Sequence, residues 1–283
     1  MTYWKSATLR MLICQISDTH IKANRRLVYT RVDTASALER CVAEILRLRQ
    51  RPDVVLFTGD IGDFGTPDEY ALVRQLLAPL SMPTYVIPGN HDSREHMRTS
   101  FADHAYLGQC GRFIQYAIED YPVRLIALDT AIPQKSAGEL CDERLDWLEA
   151  KLAGARDRPT LVMMHHAPFA TGLSYMDGIG LVRGTERLGR IIENNPQVER
   201  IVCGHLHRTI VRRFHGTVAT TCTSPAHQSM LDLEPGATPM FMMEPPGFQL
   251  HLWRRETGLV THTVTIGDFD GPHPYFMEGK RLD

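Results

Sequence analysis

Residues 200–207 read RIVCGHLH, an apolar run followed at once by a glycine and two histidines. Side chains of an extended strand alternate between its two faces, so His205 and His207 are predicted to point the same way. The missing Cβ of Gly204 allows the backbone to turn, and both rings are expected to reach one point beyond the strand. Two histidines at this spacing are common without a metal, so the interpretation depends on the rest of the chain.

The composition is that of an ordinary globular protein. The chain has 283 residues, of which 43% are hydrophobic and 23% charged, and its net charge is -2. A net charge this small does not attract a long nucleic acid or an anionic membrane. No run approaches the roughly 20 apolar residues of a membrane span, and residues 1–10 lack a signal peptide. Six scattered cysteines form no CxxC pair, so we expect reduced thiols and a cytoplasmic protein.

Short apolar runs alternate with helical periodicity, which predicts an α/β fold. Thr66, Pro67 and Glu69 form a helix start with an N-cap, a proline at the first position and a capping box. The predicted helices are residues 34–50, 67–77 and 143–152. The predicted strands are residues 11–16, 53–57, 84–87, 123–128, 161–164, 200–203 and 217–222.

Potential metal ligands follow five of these predicted strands. They are Asp18, His20, Asp60, Asn90, His165, His205 and His207. In open α/β sheets, functional groups gather beyond the carboxyl ends of the strands. Turn preferences explain any one of these residues, but five independent turns with histidine in four of them are a poor explanation. We therefore expect the seven side chains to converge.

Seven oxygen and imidazole donors exceed the needs of one four- to six-coordinate ion, which favours two metals bridged by a carboxylate. Two ions about 3.5 to 4 Å apart bind a phosphoryl group and lower the pKa of a trapped water. The sequence therefore predicts hydrolysis of a phosphate ester.

The motifs at residues 18–20 (DTH), 59–60 (GD), 89–92 (GNHD) and 204–207 (GHLH), with His165, resemble the five ordered blocks of the calcineurin-like metallophosphoesterases. Length and spacing resemble the bacterial branch of glycerophosphodiesterases and class III cyclic-nucleotide phosphodiesterases. The resemblance implies a four-layer αββα sandwich. It also implies that one ion is held by Asp18, His20 and His207, a second by Asn90, His165 and His205, and that Asp60 bridges them. The resemblance implies manganese, iron, zinc or cobalt as the ions, and the sequence does not choose among them.

The predicted activity is hydrolysis of small phosphodiesters by a metal-activated water or hydroxide. Glycerophosphodiesters, cyclic nucleotides and alkyl phosphodiesters are the candidate substrates. The alternatives are a catalytically inactive scaffold with this fold and, among enzymes, a phosphomonoesterase. The intact ligand set favours the phosphodiesterase.

Several residues beside the ligands are candidates for catalysis or substrate binding. His91 is predicted to be a cation or proton donor, with Asp92 as its orienting carboxylate or as a simple helix N-cap. Asn90 and His91 are expected to contact substrate, and the resemblance places His227 near the substrate phosphate. His166 is expected to be buried and hydrogen-bonded. The loop at residues 171–183 is either part of the substrate wall or a solvent loop.

The predicted organisation is a catalytic domain at residues 1–230, an apolar lid or oligomerisation segment at residues 231–250, and residues 251–283. Within the segment 231–250, residues 239–248 are methionine- and proline-rich and are expected to lack regular structure. The last part is a hairpin that completes the sandwich by closing the second sheet, followed by a surface tail. An apolar loop is costly in water, so we expect a homo-oligomer, a dimer or larger.

Overall fold

Two β-sheets form the centre of the fold, and the first is built around the N-terminal strand. The computed structural model describes residues 9–278, 280 and 281. In spatial order the strands of this sheet are β16 (Gly258–Thr265), β15 (Gly247–Arg254), β1 (Arg10–Ile16), β2 (Val54–Phe57) and β3 (Thr84–Val86). β1, β2 and β3 are parallel, whereas β15 is antiparallel to β1. The carboxyl ends of β1, β2 and β3 therefore lie at one end of the sheet.

The second sheet has six strands. In spatial order they are β11 (Val211–Phe214), β12 (Thr217–Thr221), β10 (Val198–Cys203), β8 (Thr160–Met164), β5 (Arg124–Leu128) and β4 (Tyr116–Ile118). β5, β8, β10 and β12 are parallel, and antiparallel strands form both edges. The smaller sheets are β6 (Ala131–Ile132) with β7 (Lys135–Glu139) and β9 (Leu181–Arg183), β13 (Gln228–Ser229) with β14 (Phe241–Met242), and β17 (Phe276–Met277) with β18 (Lys280–Arg281).

Seven α-helices connect the strands within the described residues. They are α1 (Thr34–Arg47), α2 (Pro67–Leu77), α3 (Arg94–Ser100), α4 (Ala105–Gly108), α5 (Asp142–Ala153), α6 (Ser174–Gly178) and α7 (Thr185–Glu193). The predicted capping box of α2 is confirmed: Thr66 Oγ1 accepts from Glu69 N at 3.4 Å, and Glu69 Oε2 accepts from Thr66 N at 3.1 Å. No helix of the described residues has both the length and the apolar character to cross a bilayer.

Alternating side chains of β5 show how the layers stack. Leu125 and Ala127 pack in the core that also contains residues of β1, β2, α1 and α2. Ile126 and Leu128 point the opposite way and pack with α5 and α7 through residues such as Leu148. Each sheet is thus covered by the other sheet on one face and by helices on the other. The predicted αββα sandwich is confirmed.

The C-terminal hairpin does not join the second sheet, and that prediction is wrong. β15 pairs with β1 from Arg10↔Arg254 to Gln15↔Gln249, so the hairpin extends the first sheet. Apolar periodicity identifies a strand but does not identify its partner, which here is set by packing of Phe248 and Trp253 in the core shared with β1.

Other elements differ from the prediction in their bounds. Helix α1 ends three residues early because Leu48 has extended backbone and Pro52 follows closely. Residues 239–248, expected to lack regular structure, contain β14, and β15 begins among them at Gly247. The predicted domains include residues 1–8, 279, 282 and 283, which lie outside the described residues.

A buried hydrogen bond joins the two sheets next to the strand ends. The Gln15 amide of β1 donates to Cys203 O at 2.9 Å at the end of β10 and to Thr58 Oγ1 at 2.9 Å after β2. A fully buried amide whose donors are satisfied by both sheets fixes their relative position. This contact sets the spacing between the two groups of strand ends.

Candidate metal centre

Five parallel strands end at the same place, and each is followed by at least one of the seven predicted ligands. These are Asp18 and His20 after β1, Asp60 after β2, Asn90 after β3, His165 after β8, and His205 and His207 after β10. All are buried except Asn90, which is half-buried. Backbone hydrogen bonds tie the first two loops together, from Asp18 N to Gly59 O and from His20 N to Asp60 O, both at 3.0 Å. The predicted convergence is what the structure shows.

Five of the seven residues have left-handed backbone. Their φ angles are 58° for Asp18, 45° for His20, 50° for Asp60, 70° for His205 and 53° for His207. Non-glycine residues rarely adopt this conformation, and its strain is concentrated at functional sites. The predicted convergence of His205 and His207 from an extended strand is therefore wrong. β10 ends at Cys203, and the two rings face different groups of ligands.

The first group contains Asp18, His20 and His207, whose donor atoms lie within 4.8 Å of one another. The Nε2 atoms of His20 and His207 are 3.1 Å apart, and Asp18 Oδ1 is 3.8 Å from His207 Nε2. His207 Nδ1 donates to the carbonyl of His227 at 2.9 Å. That bond leaves the lone pair on Nε2, the atom that faces the group.

The second group surrounds His165. Its Nε2 lies 3.2 Å from Asn90 Oδ1 and 3.4 Å from Asp60 Oδ2, while Nδ1 donates to Thr58 O at 2.8 Å. Asp60 Oδ2 is also 3.6 Å from His20 Nε2. One carboxylate oxygen therefore lies between the two groups, within reach of a histidine from each.

Burial and charge both fit a cation at this place. The buried ring of His205 has an Nε2 atom without a hydrogen-bond partner in the described part of the chain. Burial disfavours a charged His165, yet the carboxylates of Asp60 and Asp18 raise the pKa of His165 to about 9. The carboxylates therefore favour a positive charge at this place, and neutral imidazole nitrogens lie beside them. This donor set fits borderline divalent or trivalent ions.

His166 is buried and hydrogen-bonded, as predicted. Nε2 donates to the carbonyl of Ser136 at 3.0 Å, and Nδ1 accepts from the hydroxyl of Thr130 at 2.8 Å. Burial and the nearby His165 lower the pKa of His166 to about 3, which matches this neutral form. The ring lies close to His165 and His205, but neither of its nitrogens is free for a metal.

His91 lies beside the predicted ligands, and a hydrogen bond from one of its two ring nitrogens fixes its orientation. Its Nδ1 donates to the carbonyl of Asp63 at 2.8 Å, which leaves Nε2 as the second polar atom of the ring. Burial opposes a charged ring, but the carboxylates of Asp60 and Asp63 more than offset this and raise the pKa of His91. His91 is therefore held in a place that favours its protonated form.

The contacts of Asp92 match neither of its two predicted roles, the carboxylate that orients His91 or the N-cap of α3. It accepts hydrogen bonds from the backbone of Ile61, Gly62 and Gly89 and from the hydroxyl of Tyr70. Burial and the charge of Asp60 raise the pKa of Asp92 to about 6. Asp92 ties the loops after β2 and β3 together, and the N-cap of α3 is the next residue, Ser93.

A cavity of about 420 Å³ opens onto the ligands. Predicted ligands and neighbouring histidines line it, among them His20, Asp60, Asn90, His91, His205, His207 and His227. The loop at residues 171–183 contributes Leu173 to Met176 and Ile179, whereas Arg183 is not among the lining residues. The segment 231–250 contributes Asp232 and residues 237–241. Both segments are walls of the cavity.

The ring of His227 lies beside two of the predicted ligands. Its ring is 4.6 Å from that of His207 and 5.7 Å from that of His20, measured between centroids. Burial and the neighbouring histidines lower the pKa of His227 to about 2, so the ring is neutral.

The family model described as calcineurin-like phosphoesterase matches residues 11–209, which contain all seven predicted ligands. The chain belongs to the calcineurin-like phosphoesterase family. A relative in Arcobacter nitrofigilis, named a probable glycerophosphodiester phosphodiesterase GpdQ, is 42% identical over 96% of this chain and 100% of its own length. A probable cyclic nucleotide phosphodiesterase of a Synechococcus species is 32% identical over 84% of this chain and 90% of its own.

The same phosphoesterase fold is found in distant structures. A dimetal phosphatase from Danio rerio matches with a TM-score of 0.63 and 16% identity, covering 91% of this chain and 99% of the other. At this identity the likeness concerns the fold alone. The family and the fold predicted from the five motifs are therefore both confirmed.

Sequence reasoning missed one carboxylate of this phosphoesterase site. Asp63 Oδ1 lies 3.3 Å from His20 Nδ1, and its Oδ2 lies 3.2 Å from Lys22 Nζ. The backbone carbonyl of Asp63 also accepts a hydrogen bond from His91. Asp63 therefore orients two histidines of the site, His20 and His91. The available signal was a second aspartate three residues after Asp60 in the same loop.

Proposed function

We propose that the protein is a binuclear metal-dependent phosphodiesterase for small phosphodiesters. Asp18, His20 and His207 would hold one ion, Asn90, His165 and His205 would hold the other, and Asp60 would be shared between them. The observation that carries this assignment is the position of Asp60 Oδ2, 3.6 Å from His20 Nε2 and 3.4 Å from His165 Nε2. This activity agrees with the family and with the names of the two relatives.

Two ions held by these residues would supply Lewis-acid chemistry for the phosphoryl group and would lower the pKa of the attacking water. Backbone carbonyls accept from Nδ1 of two histidines and so orient their Nε2 atoms toward the site, Thr58 for His165 and His227 for His207. Manganese, iron, zinc and cobalt all suit this donor set.

His91 supplies the proton or the positive charge next to the reacting group. The Asp63 carbonyl fixes Nδ1, so the proton on Nε2 is the one that meets a phosphoryl oxygen or the leaving alcohol. Asn90 and His227, which line the same cavity, complete the substrate contacts.

The charge of the cavity favours diesters over monoesters. A monoester carries up to two negative charges at neutral pH, whereas a diester carries one. No lysine or arginine is among the residues that line the cavity in the described chain, so the second charge of a monoester finds only metal and histidine partners. Glycerophosphodiesters, cyclic nucleotides and alkyl phosphodiesters all fit a space of about 420 Å³, whereas a long nucleic acid does not.

The test compares bis(p-nitrophenyl) phosphate with p-nitrophenyl phosphate, using protein stripped of metal and refilled with manganese. The variants are Asn90→Ala and, as a control, Asn194→Ala at the exposed C-terminus of α7. We expect metal-dependent turnover of the diester, at least about tenfold lower activity for Asn90→Ala, and wild-type activity for the control.

Turnover of the monoester alone would replace the diester assignment with a phosphomonoesterase. No turnover of either compound with manganese, iron, zinc or cobalt, despite bound metal, would contradict the proposal and favour an inactive scaffold.

We also propose a homo-oligomer in the cytoplasm. Five large apolar side chains of the segment 231–250 are more than two-fifths exposed, namely Leu231, Leu233, Met240, Met242 and Met243. Such a surface is costly in water unless a second copy covers it. All six cysteines are free thiols, the state that a reducing compartment maintains. Light scattering after size exclusion tests the assembly, and a monomer at micromolar concentration would contradict it.

A further inference from the structure

All three members of the first ligand group have left-handed backbone. They are Asp18, His20 and His207, with φ angles of 58°, 45° and 53°. Asn90 and His165 of the second group are not among the left-handed residues of the described chain. A strained conformation of this kind persists only where the surrounding structure holds it in place. The donor atoms of the first group therefore stay together only while other residues maintain this backbone.

Ser224 holds the backbone carbonyls of two of these ligands. It is fully buried in the loop between β12 and β13. Its hydroxyl donates to Asp18 O at 2.8 Å, and its backbone N–H donates to His207 O at 3.4 Å. A change of either ligand to an ordinary backbone conformation would rotate its carbonyl and break the bond to Ser224. The two bonds therefore favour the left-handed form of both ligands.

The position of Ser224 is itself fixed by three further hydrogen bonds. Its Oγ accepts from Ala226 N at 3.0 Å, so the hydroxyl hydrogen remains available for the carbonyl of Asp18. The carbonyl of Ser224 accepts from Gln228 Nε2 at 2.8 Å and from Gly247 N at 3.2 Å. Since Gly247 is the first residue of β15, the first sheet anchors the loop that contains Ser224.

Thr34 makes the corresponding contact to the third ligand of the group. It is the first residue of α1 and is almost fully buried. Its Oγ1 donates to His20 O at 3.1 Å. Ala35 and Leu38 of the same helix pack in the core with β1 and β2, which fixes the position of the hydroxyl. Two residues outside the ligand set thus hold the carbonyls of all three ligands.

We propose that Ser224 and Thr34 are positioning residues for the metal ion of the first group. They keep its three ligands in the left-handed backbone that brings the donor atoms together, and neither residue is among those that line the cavity. The inference rests on the proposed binuclear function, but it concerns the binding of one ion rather than the reaction. Loss of either hydroxyl should weaken binding at the first group and leave the second group unchanged.

The test measures manganese binding to metal-free protein in two backgrounds, each of which leaves one ligand group intact. Asn90→Ala disables the second group, and His207→Ala disables the first. Ser224→Ala and Thr34→Val are introduced into each background. The matched control is Thr220→Val, because Thr220 is almost fully buried and its Oγ1 has no hydrogen-bond partner in the described part of the chain. Titration calorimetry gives the dissociation constants, and scanning calorimetry gives the Tm of the metal-free proteins.

In the Asn90→Ala background, Ser224→Ala and Thr34→Val should each weaken manganese binding about 10- to 100-fold, the effect typical of residues that orient metal ligands. In the His207→Ala background, the same changes should alter the dissociation constant by less than about twofold, because their bonds go to the first group. Thr220→Val should leave both constants within about twofold. The Tm of the metal-free variants should fall by no more than about 5 °C, the effect of one buried hydrogen bond in a chain of this size.

Equal weakening in both backgrounds would show a general structural role and would overturn the inference, as would unchanged binding in the Asn90→Ala background. A larger loss of Tm in both the Ser224 and the Thr34 variants would have the same meaning. An Asn90→Ala protein that binds no manganese would also overturn it, because the first group would then not be a metal site by itself. Wild-type protein that binds manganese but hydrolyses neither ester would instead contradict the proposed function and leave this inference intact.

Discussion

Gly89 lies against the proposed bridging ligand, and its replacement by alanine tests the site geometrically. A Cβ at Gly89 would stand 2.1 Å from Asp60 Oδ1 and 2.4 Å from Asp60 N, whereas real Cβ contacts under 3.0 Å are essentially never seen. Rotation of the Asp60 side chain relieves the first contact but not the second. The loop must therefore move by at least 0.6 Å, the difference between 2.4 and 3.0 Å.

The displacement should affect activity more than stability. Overpacking of this kind costs about 1 to 3 kcal/mol, which lowers Tm by about 2 to 5 °C for a chain of this size. A shift of about 1 Å in a catalytic group costs about a hundredfold in rate. We therefore expect kcat/KM for bis(p-nitrophenyl) phosphate to fall about a hundredfold in Gly89→Ala, with loss of at least one metal.

The assays are metal analysis, steady-state kinetics and calorimetry, with Gly108→Ala as the matched control. Gly108 is the last residue of α4, and a Cβ there meets no atom within 4 Å. The control should keep its metals, its activity and its Tm. The reasoning would be refuted by a folded Gly89→Ala protein that binds both metals and keeps its activity within threefold of wild type.

Three further predictions concern other parts of the structure. Asp63→Asn should lower kcat/KM about 10- to 100-fold with little change in Tm, because Asp63 orients His20 from outside the ligand set; unchanged kinetics would remove that role. His251 is fully buried, and burial lowers its pKa to about 3, so below pH 6.5 the unfolded chain binds a proton that the folded chain does not. Folding stability should fall as the pH drops from 6.5 towards 3, and His251→Gln should reduce the slope by up to about 1.4 kcal/mol per pH unit in denaturant titrations; equal slopes would contradict this. Thr66→Ala should destabilise the protein by about 1 kcal/mol through loss of the α2 cap, read as a lower Tm with unchanged kcat/KM.

Much of the site could be predicted because its residues follow strands in a recognisable order. Each strand has an apolar run that marks it, and the polar residues beyond it need only the common direction of parallel strands to converge. The capping box of α2 was predictable for the same reason, since both of its partners lie within four residues. Patterns of this kind can be predicted because the residues that cause them are close together in the sequence.

The remaining features depend on contacts between residues far apart in the chain. The hairpin of β15 and β16 was assigned to the wrong sheet because periodicity does not identify the partner of a strand. His91 was expected to be oriented by the adjacent Asp92, but its ring bonds to Asp63, 28 residues earlier. The cavity wall likewise combines Tyr29 with Phe241, which no sequence spacing links.

The sequence alone therefore determined the family, the αββα architecture and the set of candidate ligands, because motif order and hydrophobic periodicity are local properties of the chain. The tertiary structure decided which ligands share a group, which groups orient the histidines and what lines the cavity. Left-handed backbone at five predicted ligands directs His205 and His207 to different groups. Packing between the two sheets sets the distances between the ligand atoms. These depend on the whole fold, since each side chain is held by segments that only folding brings together.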